Sequence, residues 1–250
     1  MAETNITVHA APQGSLIIML AFLPSKFFQV DLHQQGGSPA RLDLFSDLLR
    51  QVDIQPIFGV ELDEIKENGI LILPTRQIAQ PFENWELDFV TQFIAQGNPL
   101  FHLSNAFPWP VNDSILGQRF GYQFQSRISG LNPDVPLDVY PLPNPLNIFA
   151  PFDSKLHFSV LSTGIVTAAE TFTVIADFKR SEIAHVGKLG PFGMGLPRDP
   201  VTGRGAIVAL GDSGLLGRPI VPRAPGPGLR AGDNFELIKR IMIWLKNQAA

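Results

Sequence analysis

An α/β fold built on a parallel sheet is what this sequence predicts, and three features carry it. Aliphatic runs alternate with amphipathic stretches through the first half of the chain. The strongest runs are apolar at every position, the pattern of strands covered on both faces. Strand, helix, strand, helix, strand in that order calls for right-handed crossovers between parallel neighbours.

In chain order, "LIIMLAFL" (Leu16–Leu23) stops at Pro24 and Lys26. It is too short to cross a bilayer as a helix and reads as a buried strand. "FFQVDLH" (Phe27–His33) is strand-like, and after "QQGG" Ser38 and Pro39 supply an N-cap and a first-turn proline. The helix that follows, "ARLDLFSDLLRQV", repeats Leu42, Phe45, Leu48, Leu49 and Val52 at threes and fours, so one stripe faces a sheet. "QPIFG" is a short strand, "LDEIKEN" a short helix or turn, and "GILILP" (Gly69–Pro74) a central parallel strand. "ENWELDFVTQFIAQG" is a second helix, with Leu87, Val90, Phe93 and Ile94 on one face and Gly97 as its C-cap. The strand "PLFHL" comes next.

From about residue 130 the character changes. "GLNPDVPLDVYPLPNPLNIFAPFD" is too rich in proline for a helix or a central strand and reads as a surface excursion, either lid or interface. "KLHFSVL", "ETFTVIADF" and "SEIAHVGK" read as an antiparallel extension. The glycine- and proline-rich "LGPFGMGLPRDPVTGRG" leads into the strand Ala206–Leu210. "GPFGMG" is no phosphate loop, because it lacks the Gly-Lys-Ser/Thr ending and no helix follows. The closing helix "DNFELIKRIMIWLK" has Asp233 and Glu236 as a capping box and a stripe of Phe235, Ile238, Met242 and Leu245. The reading is one domain over residues 1–250, its core about 25–125 and 203–246, with the excursion and extension over 130–200.

Composition narrows the function. The chain is 45% hydrophobic and 17% charged, with a net charge of −4 and no dense Lys/Arg cluster, which disfavours nucleic acid. A signal peptide would carry positive charge ahead of Leu16, where Glu3 is the sole charged residue, so an intracellular, cytoplasmic protein off the membrane is expected. There is no cysteine, which removes disulfides, thiolate metal ligands and cysteine nucleophiles together.

"GRGAIVALGDSGLLG" followed by "NFELIKRIMIWLK" resembles the C-terminal signature of the DUF4350 group of class I glutamine-amidotransferase-like domains. More loosely, "VDLHQQGG", "LDLFSDLLRQ", "GILILP", "ELDFVTQFIAQGNPLFHLSNAFPWP" and "LGQRFGYQF" are similar to that family's earlier segments, over most of residues 25–246. The resemblance implies a flavodoxin-like, doubly wound, mostly parallel sheet, in a group many of whose members are non-enzymatic. True amidotransferases place a cysteine on the turn after a central strand; here that turn reads "HLSNAF" (His102–Phe107), so glutamine hydrolysis by that route is excluded. An Asp-His pair found there in some relatives is replaced by Ser104 and Asn105. Ser104 could occupy the elbow, but the G-x-S-x-G context that exposes such a serine is missing.

Ligands of open α/β sheets bind beyond the carboxyl ends of the strands. Four such ends here carry polar groups: Asp31 and His33; Thr75 and Arg76; His102, Ser104 and Asn105; Asp212 and Ser213. If the strands are parallel, these share one edge and form a pocket for a small anionic or carbonyl-bearing molecule. Asp31, Arg76, His102, Asn105, Ser213 and Trp109, from the stiff loop "AFPWPV", are the candidate ligand-binding residues. The bland readings stand beside them: Arg76 as a surface arginine, His102 as a core histidine, Trp109 as packing, and Asp212 and Ser213 as groups holding their own turn.

A non-amidotransferase domain binding a small molecule is the leading reading. An enzyme (hydrolase, lyase or cyclase) using His33 as general base with Ser104 or Asp212 assisting is the second, and a protein-interaction module, such as a homodimer, the third. His33, His102, His157 and Asp31 fall in no metal-ligand spacing, so neither a metal nor another cofactor is expected.

Overall fold

The short aliphatic runs that follow each amphipathic stretch become the parallel strands, because only a strand sandwiched between layers hides every side chain, His102 of β2 included. In the computed structural model, which describes residues 43–56, 69–76, 81–105, 110–125, 137–160, 163–178, 190–216 and 228–249, these are β1 (Leu71–Leu73), β2 (Leu100–Leu103) and β9 (Ile207–Leu210). All three are buried along their whole length. They pair in parallel, Leu73 beside His102 and His102 beside Ala209. Each buried Leu, Ile or Val contributes about 1.5–3 kcal/mol of transfer free energy, which fixes this layer as the core. The predicted strands Leu16–Leu23 and Phe27–His33, and the segments "LDEIKEN" and "SEIAHVGK", lie outside the described residues.

Helices α1 (Asp43–Gln51) and α2 (Asn84–Ala95) form where the spacing places them. Phe45, Leu48, Leu49 and Val52 are buried on the first, and Leu87, Val90, Phe93 and Ile94 on the second, which ends at Gly97 with φ +95°. The last helix, α4 (Asn234–Gln248), buries Leu237, Ile238, Ile241, Met242 and Leu245. Its expected capping box does not form: the Asp233 side chain caps nothing on its own helix and accepts the His157 amide at 3.1 Å instead.

Among the described residues the sheet has seven strands in the order β1-β2-β9-β8 (Pro191–Leu196)-β7 (Thr173–Phe178)-β4 (Leu137–Pro141)-β5 (Phe158–Val160) and is mixed, the last four joining by antiparallel pairing. β7 (Thr173–Phe178) and β5 (Phe158–Val160) fall inside the expected antiparallel extension. Two strands correct the sequence reading. β4 (Leu137–Pro141) lies inside the proline-rich excursion yet sits between β5 and β7, because "LDVY" is free of proline and Pro141 only closes the strand. β8 (Pro191–Leu196), taken as a glycine-rich lead-in, is an interior strand between β7 and β9. A Cβ on its Gly193 would come within 2.6 Å of the Leu210 side chain, and one on Gly195 within 2.8 Å of Leu146. These glycines admit neighbours rather than a phosphate.

The described part of the excursion is tied down. Ile148 and Phe149 are buried, and the Arg240 guanidinium of α4 donates to the carbonyls of Phe149 and Pro151 at 2.8 and 2.9 Å. Past β2, α3 (Pro110–Gln118) and β3 (Tyr122–Gln125) follow, and β3 pairs antiparallel with β6 (Ile165–Ala168) in a separate ribbon. The sequence pattern predicts none of these three. No helix among the described residues is long and apolar enough to cross a membrane.

Candidate functional site

Parallel pairing brings the tips of β1, β2 and β9 to one edge. Leu73, His102 and Ala209 stand side by side, so Thr75 and Ser104, two residues on, continue the same face. Helix α3 starts at a proline, suited to a first helical position, and sets Asp113 in its first turn over that face.

The Asp113 carboxylate organises what it meets. It accepts the Thr75 hydroxyl at 2.6 Å, the Ser104 hydroxyl at 2.6 Å and the Arg76 amide at 2.8 Å. Thr75, Ser104 and Asp113 are fully buried. The constellation is therefore serine, carboxylate and histidine with the carboxylate in the middle, since His102 Nε2 lies 3.7 Å from Asp113 Oδ1. That separation exceeds hydrogen-bond length, and the order is not that of a hydrolytic triad, in which the imidazole stands next to the hydroxyl.

His102 Nδ1 is 2.7 Å from the Tyr122 hydroxyl, and its ring meets Phe124 edge-on. Burial, with the Asp113 charge adding to it, pushes the Tyr122 phenol well above its ordinary range. A protonated phenol can donate to Nδ1, and in that arrangement the imidazole proton sits on Nε2. Among the described residues, His102 Nε2 and Ser213 Oγ are the buried side-chain polar atoms without a hydrogen-bond partner.

Arg76 is turned away from the tips. Its guanidinium makes a two-pronged pair with Glu86 at 3.1 and 2.7 Å, donates to the Pro81 carbonyl and lies 4.3 Å over the Phe82 ring. Both partners of this pair are buried, so the charge read from the sequence as an anion clamp is neutralised within the fold.

The remaining tip residues meet through backbone. The Ser104 amide donates to the Leu210 carbonyl at 3.0 Å. A Cβ on Gly211 would fall on the Gly164 carbonyl, and one on Gly164 would stand 3.1 Å from the Asn105 carbonyl. Residues 104–105, 164 and 211–213 thus converge. Asp212 accepts the Gly214 amide at 2.7 Å, the turn-holding role its position suggested.

The structure therefore brings His102, Ser104, Asn105, Asp212 and Ser213 to one edge, while Asp31, His33 and Trp109 lie outside the described residues. His157 belongs elsewhere, half-buried between Asp138 and Asp233 at 3.7 and 3.5 Å. Among the described residues there is no group of three or more His, Asp or Glu able to hold a metal ion. Sequence reasoning missed Asp113 and Tyr122. The one available signal was Pro110 followed by an acid three residues later, the pattern of a helix start.

No family model matches the sequence, and no curated protein matches it. Solved structures do share the fold. The N-terminal domain of mmIFT52 superposes with a TM-score of 0.66 at 11% identity, covering 92% of this chain and 97% of its own. The cytoplasmic protein STM3548 from Salmonella typhimurium gives 0.55 at 8% identity, over 84% of this chain and 87% of its own. A glutamine amidotransferase from Thermotoga maritima gives 0.50 at 13% identity, over 78% and 74%. At these identities the likeness is one of fold: the chain has an architecture that a glutamine amidotransferase also uses.

Proposed function

We propose that this chain is a non-amidotransferase domain of the glutamine-amidotransferase-like fold, doubly wound and acting as one unit, which holds a small ligand at the carboxyl edge of its parallel strands. The relationship to the DUF4350 group belongs to the same proposal and rests on the "GDS" to "WL" stretch quoted above.

The observation that carries it is the pair of unpartnered buried atoms, His102 Nε2 and Ser213 Oγ, at the tips of adjacent strands. Leaving a buried polar atom unpaired costs about 1–3 kcal/mol, a cost that a bound partner relieves. Both atoms can donate, Ser213 Oγ by rotating its hydroxyl and Nε2 when the Tyr122 hydroxyl donates to Nδ1, and a ligand that satisfies both at once presents an acceptor, a carbonyl or carboxylate oxygen. With Arg76 closed on Glu86, the carbonyl is the better fit of the two. What weighs against catalysis is that the Ser104 hydroxyl is engaged by Asp113 and, among the described residues, is hydrogen-bonded to no imidazole.

The experiment is ligand-detected NMR of the purified chain against mixtures of small ketones, amides and carboxylates, repeated with Ser213→Ala. At least one carbonyl compound should bind the wild type and weaken roughly ten-fold in the variant, the worth of one buried hydrogen bond. If no binder responds to Ser213→Ala, the site is wrong. If Ser104 is labelled by an electrophilic serine probe, the non-enzymatic reading is wrong.

A further inference from the structure

The end of the seven-stranded sheet carries a feature that the proposed site does not use. Among the described residues β5 is the last strand, bonded to β4 on one side only. Along such a strand successive residues turn their N–H and C=O alternately toward and away from the partner. The outward-turned residues are His157 and Ser159. Unpaired outward groups on an edge are a template for another strand.

Here all four outward groups are taken by two residues at the start of α4. Asp233 Oδ2 accepts the His157 amide at 3.1 Å, and the Asp233 amide donates to the His157 carbonyl at 3.3 Å. Asn234 Oδ1 accepts the Ser159 amide and Asn234 Nδ2 donates to the Ser159 carbonyl, both at 2.9 Å. The Asn234 carboxamide thus pairs with Ser159 as a peptide group of a neighbouring strand would. It is fully buried and donates again to the Gly228 carbonyl at 2.9 Å. The ribbon repeats the device: the Ser114 hydroxyl of α3 accepts the Phe124 amide at 3.0 Å and donates to the Phe124 carbonyl at 2.8 Å, on the side of β3 away from β6.

We propose that Asp233 and Asn234 form an edge guard, a two-residue substitute strand that denies the open side of β5 to the β5 strand of a second copy of this chain. Partners that act by adding a strand are excluded from this edge by the same contacts. The inference stands whether or not the ligand site does.

The test is Asn234→Ala, which takes from the Ser159 amide and carbonyl the side-chain partner that occupies them, compared with Ile238→Val, a core change in the same helix. Light scattering after gel filtration is run over a wide concentration range, with hydrogen exchange at His157 and Ser159. The expected result is reversible dimerisation of Asn234→Ala alone. Its Ser159 amide should exchange roughly ten-fold faster than wild type when dilute, the loss of one hydrogen bond, and regain protection when concentrated. Asn234→Asp keeps the acceptor and loses the donor, so it carries the test if the alanine variant fails to fold, and it should dimerise more weakly. The proposal is overturned if the Asn234 variants that fold stay monomeric with Ser159 exchanging fast at every concentration, or if Ile238→Val associates equally.

Discussion

Asp113 holds three strand-tip donors while fully buried, and its replacement tests the whole reading of the edge. Asp113→Ala removes the acceptor for two hydroxyls and one peptide N–H. The hydroxyls of Thr75 and Ser104 can rotate toward other acceptors, but the Arg76 amide is fixed by the backbone. With each stranded buried donor costing about 1–3 kcal/mol, and two of them partly rescued, the loss comes to roughly 3–5 kcal/mol. Asp113→Asn should behave differently. Its oxygen can keep the Arg76 amide while its NH2 donates to the two hydroxyl oxygens, so the loss falls to about 1 kcal/mol. A chain of this size loses about 2–4 °C in Tm per kcal/mol, which puts the alanine variant on the order of 10 °C down and the asparagine variant only a few degrees. Urea unfolding followed by circular dichroism measures both. An alanine variant as stable as the asparagine one would mean that Asp113 is not the acceptor that orders these tips, and the site built on it would fall.

Two further outcomes follow from the buried charges. Arg76→Met alone should cost about 3–5 kcal/mol by leaving the buried Glu86 carboxylate without its cation, whereas Arg76→Met with Glu86→Leu should recover part of that loss in the same unfolding assay, the Glu83 amide then losing its acceptor. Tyr122 is held neutral in the fold, its folded pKa lying above the unfolded one. The stability it contributes is therefore complete below about pH 10 and fades as pH rises beyond that. The chain has two tyrosines; in a Tyr140→Phe background the phenolate absorbance should appear only together with loss of the folded circular-dichroism signal, and Tyr122→Phe should flatten the alkaline limb of stability.

The legible parts were those in which a local pattern and the tertiary requirement agreed. Helices α1, α2 and α4 announce themselves by stripes that need only one apolar face, and β1, β2 and β9 by runs that need two. β8 and β4 were misread because glycine and proline act locally as breakers, while their use here is set by neighbours: Leu210 and Leu146 entering over Gly193 and Gly195, and Pro141 standing at a strand end. At the site, Ser104, His102 and Arg76 were legible as polar residues at strand ends, but their employment was not. Whether Arg76 greets a ligand or Glu86 depends on where the first turn of α2 lands.

By itself the sequence determined the layered α/β class, the absence of cysteine chemistry and the edge at which polar groups collect, because periodicity and composition are properties of the chain alone. Only the tertiary structure decided that Asp113 joins Thr75, Arg76 and Ser104, that the Tyr122 hydroxyl meets His102 Nδ1, and that Asp233 turns from its own helix to close β5. Hydrogen bonds between residues far apart in sequence form only once the chain has folded, and no local pattern encodes which donor will face which acceptor.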